Sequence, residues 1–511
     1  MMNANTILKS QLVSAHGSAP KKVTHINYDS RKVNTNGCFV CISGKSTDGH
    51  KFIEMAISQG CVQIIGDQQD SLLEHAERSP HVQFLHVKDS KKALALYSSH
   101  LHQHVHKSMR LIGVTGTHGK TTITAYIRSL LNGAGIKTGS IGTAGVWDHQ
   151  KMLPLDKSTP TTPESSDLHA YLSLMKKKDI SSVVMEATSI GIDQERLYGL
   201  HFDIAVHSNL YPEHLDYHET FENYKKAKLS LFEKAGTSVV NIDDAGMSKD
   251  IISVFKGTLW TYGLSDDADV HAKNITFSKR GCCVDLIVKG RLFSVFLPIL
   301  GVHNVYNFLA SVCVCLAKGM TIGDLLPLFQ KLEGPPGRLQ LIPEFANRTM
   351  IFDFAHTPLA LEQLFKTVEP LSYNRLILMI TGIGIREKSL RAPIAKAAEG
   401  RADEIVVTAD HPGEELPIDI VNDVLDGFET IGPQIHPVPN RGEAIKKAMG
   451  LTEEGDLLLI TGICMENFQI VKGRKVPYYD YDHVKAFLNS SRNSRERELE
   501  LTESDGAVYQ S

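Results

Sequence analysis

The chain has 511 residues, 42% of them hydrophobic, which is enough for about three globular domains with sizeable cores. Its formal charge of -4 gives no reason to expect nucleic acid or an anionic membrane as a partner. No apolar run reaches the ~18 residues of a membrane span, and the N-terminus lacks the basic start and apolar core of a signal peptide.

Residues 1–107 read as a small α/β domain. "GCFVCI", "VQIIG" and "VQFLHV" have the texture of buried strands, and "FIEMAISQG" that of a short helix. A helical "SKKALALYSSHLHQHV" closes the domain, and its His102, His104 and His106 are expected on a solvated helix surface. Cys38 and Cys41 have CxxC spacing, but no second pair follows, so no zinc site is expected. The other cysteines fall partly in apolar runs such as "LASVCVCLA", where the thiol behaves as a small core group. A reduced, cytoplasmic protein is the expectation.

Residues 108–336 change texture. "RLIGVTG" is a strand with a glycine turn, and "KTTITAYIRSLLNGAG" is a helix stopped by glycine. The strand-like runs "SSVVMEAT", "FDIAVHSNL" and "TSVVNIDD" alternate with helical segments, which predicts a parallel sheet covered on both faces. "LEGPPGRLQLIPE" reads as a linker. A third α/β segment, 337–490, carries the buried-strand runs "RLILMITGIGI", "DEIVVTAD" and "GDLLLITGI". The polar tail, 491–511, is expected to be disordered.

Five stretches carry chemistry. "GVTGTHGKTT", between a strand and a helix, looks like a phosphate loop. The strict pattern wants glycine at 114, where this chain has Val114, yet Gly116 and Gly119 still free the turn. The helix N-terminus and backbone N–H groups point at an anion, Lys120 would neutralise it, and Thr121 would hold magnesium. Glu186 ends an apolar strand, where a carboxylate either holds a metal or simply terminates the strand. In "SNLYPEHLDYHETFENYKKAKLSLF", His214, Asp216 and His218 crowd a loop. The following helix shows an apolar stripe of Phe221, Tyr224, Leu231 and Phe232 with Lys228 in its middle. A lysine there is buried at high cost, chemically altered, or snorkelling to solvent. Asn304 and Asn307 open a helix, where asparagine is often a cap. Asp353 and His356 end a strand, positioned for a ligand or for capping.

In this order, the motifs resemble the Mur ligase family over about residues 23 to 485. The chain is most similar to the branch that adds the third peptide residue to UDP-N-acetylmuramoyl-L-Ala-D-Glu. That resemblance implies three α/β domains: an N-terminal UDP-substrate domain, a central ATPase domain with a parallel sheet, and a C-terminal Rossmann-like amino-acid domain. It implies ATP and Mg2+ as cofactors and a free amino acid as co-substrate. On oligomeric state the sequence says little, and a monomer is the expectation. Gly116, Thr117, His118, Gly119, Lys120, Thr121 and Thr122, with Asn304, Arg338, Asp353 and His356, fall on family ATP contacts. Ser30, Thr161, Thr162, Thr188, Ser189, Gln194 and Arg196 fall on contacts to the UDP substrate. Glu186, His214 and Thr121 match metal-binding positions, and Lys228 matches a lysine that carries CO2 as a carbamate and so joins them.

The departures lie in the third domain. The family's Asp-Asn-Pro-Arg, which serves meso-diaminopimelate, is here "DHPG", so Gly413 stands where an arginine would clamp a distal carboxylate. Gly-Lys-Gly-His-Glu becomes "GICME", keeping Gly462 and Glu466. Asp410, His411, Gly462, Glu466 and Arg391 are the expected amino-acid contacts, and a basic or neutral amino acid is the expected substrate. A related ligase with a different acceptor, or a non-catalytic nucleotide-binding relative, stays open at this point.

Overall fold

The structure is a computed structural model that describes residues 4–44, 47–155, 157–342, 345, 348–463 and 467–490. Glu466 and the tail 491–511 lie outside the described residues. The chain forms two compact units. One holds residues 1–272, 287–292 and 306–328; the other holds 273–286, 293–305 and 329 onward.

Two sheets build the first unit. The N-terminal one has the order Leu12–His16, Gln83–Val87, Gln63–Gly66, Gly37–Val40, His25–Asn27. Its first pair is antiparallel and the rest are parallel. Alternate residues of each strand feed opposite cores, as the pleat requires. Cys38, Val40 and Ile65 enter one core with Leu94 and Tyr97, while Phe39, Cys41 and Ile64 enter the other with Ile53 and Leu72. The two CxxC thiols therefore face different cores. The helix Ser90–Leu101 is opened by Asp89, whose carboxylate accepts from the N–H groups of Lys91 and Lys92.

That helix stops earlier than its sequence suggests. His102 is the C-cap, His104 has φ 53°, and His106 sits on the short turn Val105–Ser108. His106 is buried rather than solvated, and its ring lies 5.3 Å from that of buried His169. The left-handed residue at 104 redirects the chain inward, so spacing along an ideal helix does not describe these histidines.

The central strands of the first unit run in the order Thr258–Gly263, Ala235–Asn241, Phe202–His207, Arg110–Thr115, Ser182–Glu186, Thr138–Gly142, Gly145–Trp147. All neighbours are parallel except the last pair. The four inner strands, Phe202–His207, Arg110–Thr115, Ser182–Glu186 and Thr138–Gly142, are almost wholly buried, which is why they read as continuous apolar runs. Arg110–Thr115 is central, so the turn after it opens at the carboxyl edge, beside those after Phe202–His207 and Ser182–Glu186.

The second unit has its own sheet, ordered Gln340–Leu341, Thr349–Asp353, Leu457–Thr461, Leu376–Ile383, Glu404–Asp410, Ile435–Pro437, parallel after the first pair. Cores on its two faces, around Leu378 and Ile380 on one side and Ile377 and Met379 on the other, account for the unbroken apolar "LILMI".

Candidate active site

Val114 is fully buried and paired to Glu186 within the sheet, so position 114 is strand, not loop. The loop proper is Gly116 to Gly119, and the helix Lys120–Gly133 follows at once. Gly116 has φ 146° and Gly119 φ 85°. A Cβ on Gly116 would lie 1.9 Å from Ser208 Oγ, and one on Gly119 2.5 Å from Asn307 Oδ1, so both positions need glycine.

The next strand's exit walls the loop. Asn209 O accepts from Thr117 N at 2.8 Å and Asn209 Oδ1 from His118 N at 2.9 Å. Tyr211 N donates to Thr117 Oγ1 at 2.9 Å, and Ser208 Oγ donates to His118 O at 2.6 Å. Thr122 is buried in the first turn of the helix.

Two lysine side chains converge on one carbonyl. Lys120 Nζ donates to Gly116 O at 2.9 Å and Thr117 O at 2.8 Å, and Lys228 Nζ donates to Gly116 O at 2.7 Å. Lys228, on the helix Phe221–Leu229, is 2% exposed and lies 4.7 Å above the Tyr224 ring. Burial, and then the nearby Lys120 charge, hold its pKa well below the ordinary lysine value. The snorkelling alternative is thereby excluded. Tyr224, itself buried, ties this helix to the loop through a 3.0 Å bond between its hydroxyl and Thr117 Oγ1.

Glu186 is buried at the end of its strand. Its Oε2 accepts from Thr121 Oγ1 at 3.1 Å and its Oε1 from Thr143 N at 2.7 Å. Thr143 Oγ1 in turn meets Thr161 Oγ1 at 3.0 Å. Thr162 Oγ1 donates to Glu186 O at 2.8 Å and lies 2.9 Å from Thr188 Oγ1. Ser189 is buried in the next turn. Arg196 donates to Thr162 O at 2.8 Å and to Gln194 Oε1 at 2.7 Å, and pairs with Glu164 at 2.8 Å. Thr121, Glu186, Thr161, Thr162, Thr188, Gln194 and Arg196 are thus one connected set. His214 stands apart from it, half-exposed, with its ring 6.4 Å from that of Tyr224. Among the described residues, no group of three or more histidine, cysteine or carboxylate side chains is gathered around one point.

A cavity of about 760 Å³ adjoins the set. Ser30, Tyr28, Arg31, Lys91, Lys157 and Gln194 are among its lining residues. Burial raises the pKa of Glu164 and of Tyr28 on its wall. Lys157 Nζ donates to Thr143 O at 2.8 Å and Pro160 O at 2.9 Å, linking the wall to the residue that holds Glu186.

In the second unit, Asn304 donates from Nδ2 to Leu300 O at 2.9 Å. The strand end places Asp353, Arg338 and His356 together. Asp353 accepts from the N–H groups of Leu339 and Ala355, both at 2.9 Å, and burial raises its pKa. The Arg338 guanidinium lies 4.6 Å over the Phe354 ring, which His356 meets edge-on. Burial lowers the His356 pKa.

The residues expected at the amino-acid pocket are deeply engaged by the protein itself. Arg391 is buried, bonding Glu415 at 2.5 Å and Asp423 at 2.7 Å. Asp410 is buried and accepts from Ile463 N at 3.0 Å and Gln469 Nε2 at 3.0 Å. His411 is buried and accepts from Ile470 N at 3.2 Å. Gly462 has φ 122°, and a Cβ there would lie 2.7 Å from the Arg441 guanidinium. Gly413 has φ 64°, donates to Ile470 O and accepts from Lys472 N.

Asn209, Thr143, Tyr224 and Lys157 were missed in the sequence as parts of the site. Asn209 sits in the quoted "SNLY" stretch. Thr143, by contrast, ends a plain "SIGT" that carries no motif.

Comparison with known proteins supplies the frame. Residues 22–101 match the model described as Mur ligase family, catalytic domain; residues 114–315 match the Mur ligase middle domain; and residues 337–464 match the Mur ligase, glutamate ligase domain. The chain is 35% identical over 477 residues to the UDP-N-acetylmuramoyl-L-alanyl-D-glutamate--2,6-diaminopimelate ligase 1 of Clostridium acetobutylicum, covering 92% of this chain and 96% of that one. A second such ligase of that organism is 34% identical, over 91% and 95% of the two chains. A solved UDP-N-acetylmuramoyl-L-alanyl-D-glutamate--2,6-diaminopimelate ligase superposes with TM-score 0.69 at 29% identity, covering 96% of this chain and 99% of the other. MurF ligase from Thermotoga maritima, solved with ADP, shares the fold at TM-score 0.55 and 17% identity, over 93% and 99% of the chains.

Proposed function

Because this chain belongs to the Mur ligase family, with all three of its domain types in order, we propose that it extends UDP-N-acetylmuramoyl-L-Ala-D-Glu by one amino acid in peptidoglycan precursor synthesis. It is an ATP-dependent amide ligase. The observation that carries the reading is the convergence of Lys120 and Lys228 on Gly116 O beside the Thr121–Glu186 pair. The chemistry joins two anions, so it needs cations at the transferring phosphoryl group and a fixed geometry.

ATP would phosphorylate the D-Glu side-chain carboxylate, giving an acyl phosphate and ADP. The incoming amine would attack the acyl carbon, and the tetrahedral intermediate would expel phosphate as the amide forms. Lys120 would hold the phosphoryl oxygens, and the N–H groups that open the helix Lys120–Gly133 would orient the chain of phosphates. Thr121 and Glu186 are hard oxygen donors 3.1 Å apart at a helix start, a pairing that suits Mg2+. When bound, Mg2+ supplies charge neutralisation at the phosphates.

Lys228 does not suit a magnesium site as an amine. Its lowered pKa favours the neutral form, and a neutral amine can add CO2 to give a carbamate anion and release a proton. A carbamate at Lys228, with His214 brought in by the bound ligands, would complete the metal set. A resonance from 13C-bicarbonate that is absent in Lys228→Arg would support this; an unlabelled wild-type protein would contradict it.

The cavity bearing Ser30, Arg31, Lys91 and Gln194 fits the UDP substrate, with basic groups for its diphosphate. The second unit supplies the amino-acid pocket, with domain boundaries near 107/108 and 336/337. Relatives are named for 2,6-diaminopimelate. Here Gly413 offers no cation to a distal carboxylate, so the acceptor is inferred to be a basic or neutral amino acid. A monomer acting in the cytoplasm fits this role, and no described helix is long and apolar enough to cross a membrane. The direct test is phosphate release that requires ATP, the UDP-dipeptide and an amino acid together. Release without the UDP-dipeptide would count against the reading.

A further inference from the structure

Directly behind the phosphate loop lies a buried pair that the ligase chemistry above does not use. His207 ends the strand Phe202–His207, in register with Thr115, the last residue before the loop. It is fully buried, and its Nε2 donates to Asp244 Oδ2 at 2.8 Å. Burial holds its pKa below the ordinary value, and the bond to a carboxylate puts a proton on Nε2. Its Nδ1 has no hydrogen-bond partner among the described residues. Asp244 gathers the rest. Its Oδ1 accepts from Leu210 N at 2.9 Å, and its Oδ2 from Gly246 N at 3.1 Å and Met247 N at 3.0 Å.

The segment that directly follows His207, Ser208 to Tyr211, is the wall of the loop. Ser208, Asn209 and Tyr211 bond the backbone or side chains of Thr117 and His118, as described above. Asn241 Nδ2 holds Ser208 O from behind at 2.8 Å. The wall is thus anchored at His207 and Leu210, and both anchors end on the same carboxylate. A satisfied buried network of this kind fixes one geometry, and its partial loss loosens it.

We propose that His207 and Asp244 are a positioning pair for the nucleotide, setting the Ser208–Tyr211 wall against which the phosphate loop is shaped. This rests on reading that loop as the ATP site. Neither residue touches the phosphates. The pair acts through Asn209 and Ser208, so its loss should weaken ATP engagement while sparing the UDP-substrate cavity.

The test compares His207→Phe, which keeps the ring and removes the donor, with His207→Gln, whose amide nitrogen can still reach Asp244. ADP affinity is measured by calorimetry on the full-length protein, alongside the ligase KM values. His207→Phe is expected to raise KM for ATP and the ADP dissociation constant about tenfold, with KM for the UDP-dipeptide changed less than about twofold. His207→Gln should recover most of the loss. Wild-type ADP affinity in His207→Phe, or equal impairment of both substrates' KM values, would overturn the proposal. So would a glutamine variant no better than the phenylalanine one. If His207→Phe does not fold, Asp244→Asn replaces it, with the same expected selectivity for nucleotide. Because ADP binding is read directly, a wild-type protein that binds ADP yet makes no amide would refute the ligase reading and leave this test standing.

Discussion

At Gly116 O two lysines meet, and their roles separate on chemistry. Lys120 is part-exposed at the loop, where it would meet phosphate; Lys228 is sealed over Tyr224, and burial lowers its pKa. Lys120→Ala is expected to lower kcat by at least about 100-fold while leaving UDP-dipeptide affinity within about twofold, as removal of a charge-stabilising group does. Calorimetry with the UDP-dipeptide and a phosphate-release assay measure the two; surviving activity would reduce "GTHGKTT" to a turn. Lys228→Arg keeps a cation but cannot carry CO2, and activity should fall to the level of Lys228→Ala, with only the alanine variant partly rescued by small carboxylates. Rescue of neither, with activity retained in Lys228→Arg, would leave Lys228 as an ordinary cation. Gly413 is a third residue-scale test. Its φ of 64° makes Gly413→Arg strained by roughly 1–2 kcal/mol, visible as a lower urea midpoint. An unchanged midpoint would show that the loop accommodates a side chain there.

Among the elements, the end of the helix Ser90–Leu101 is the informative one. His106 folds inward against His169 of the helix Ser165–Lys177, and burial holds His106 at about 4 and His169 at about 3. Their folded pKa values lie below the unfolded value of about 6.5, so the unfolded chain binds more protons on acidification. Their contribution to stability is whole above about pH 6.5 and is lost as pH falls from there toward about 4 for His106 and about 3 for His169. Between pH 6.5 and 5 the linkage is about 2 kcal/mol per histidine. Urea unfolding of wild type should therefore weaken more steeply with acid than that of a His106→Phe, His169→Leu double variant; parallel slopes would contradict this. The sequence concealed these histidines because a left-handed residue at His104, which periodicity does not register, turns the chain. The helix Phe221–Leu229 was legible for the opposite reason. It is regular, so the wheel that put Lys228 in the apolar stripe matched the burial found.

For the whole molecule, the strands were legible because parallel strands covered on both faces carry unbroken apolar runs, and "LILMITGI" and "SVVME" are buried throughout. The glycine turn between the strand Arg110–Thr115 and the helix Lys120–Gly133 was legible because its glycines are dictated by contacts at Ser208 and Asn307. What escaped was whatever depends on partners distant in sequence. Thr143 under Glu186, Tyr224 against Thr117, and the His207–Asp244 anchor have no local signature, since each is defined by a bond across the sheet edge. The amino-acid pocket was the least legible part. Arg391, Asp410 and His411 were expected at the ligand, and the structure shows each engaged by neighbouring protein groups.

The central claim, that this chain is an ATP-dependent ligase for the UDP-dipeptide with its own acceptor preference, is tested most directly by one panel. Phosphate release is measured with ATP, UDP-N-acetylmuramoyl-L-Ala-D-Glu and each of a series of amino acids, meso-diaminopimelate included. Turnover with a basic or neutral amino acid, exceeding that with meso-diaminopimelate, is the result expected. Preference for meso-diaminopimelate would contradict the reading of Gly413, and no turnover with any acceptor would contradict the ligase assignment itself.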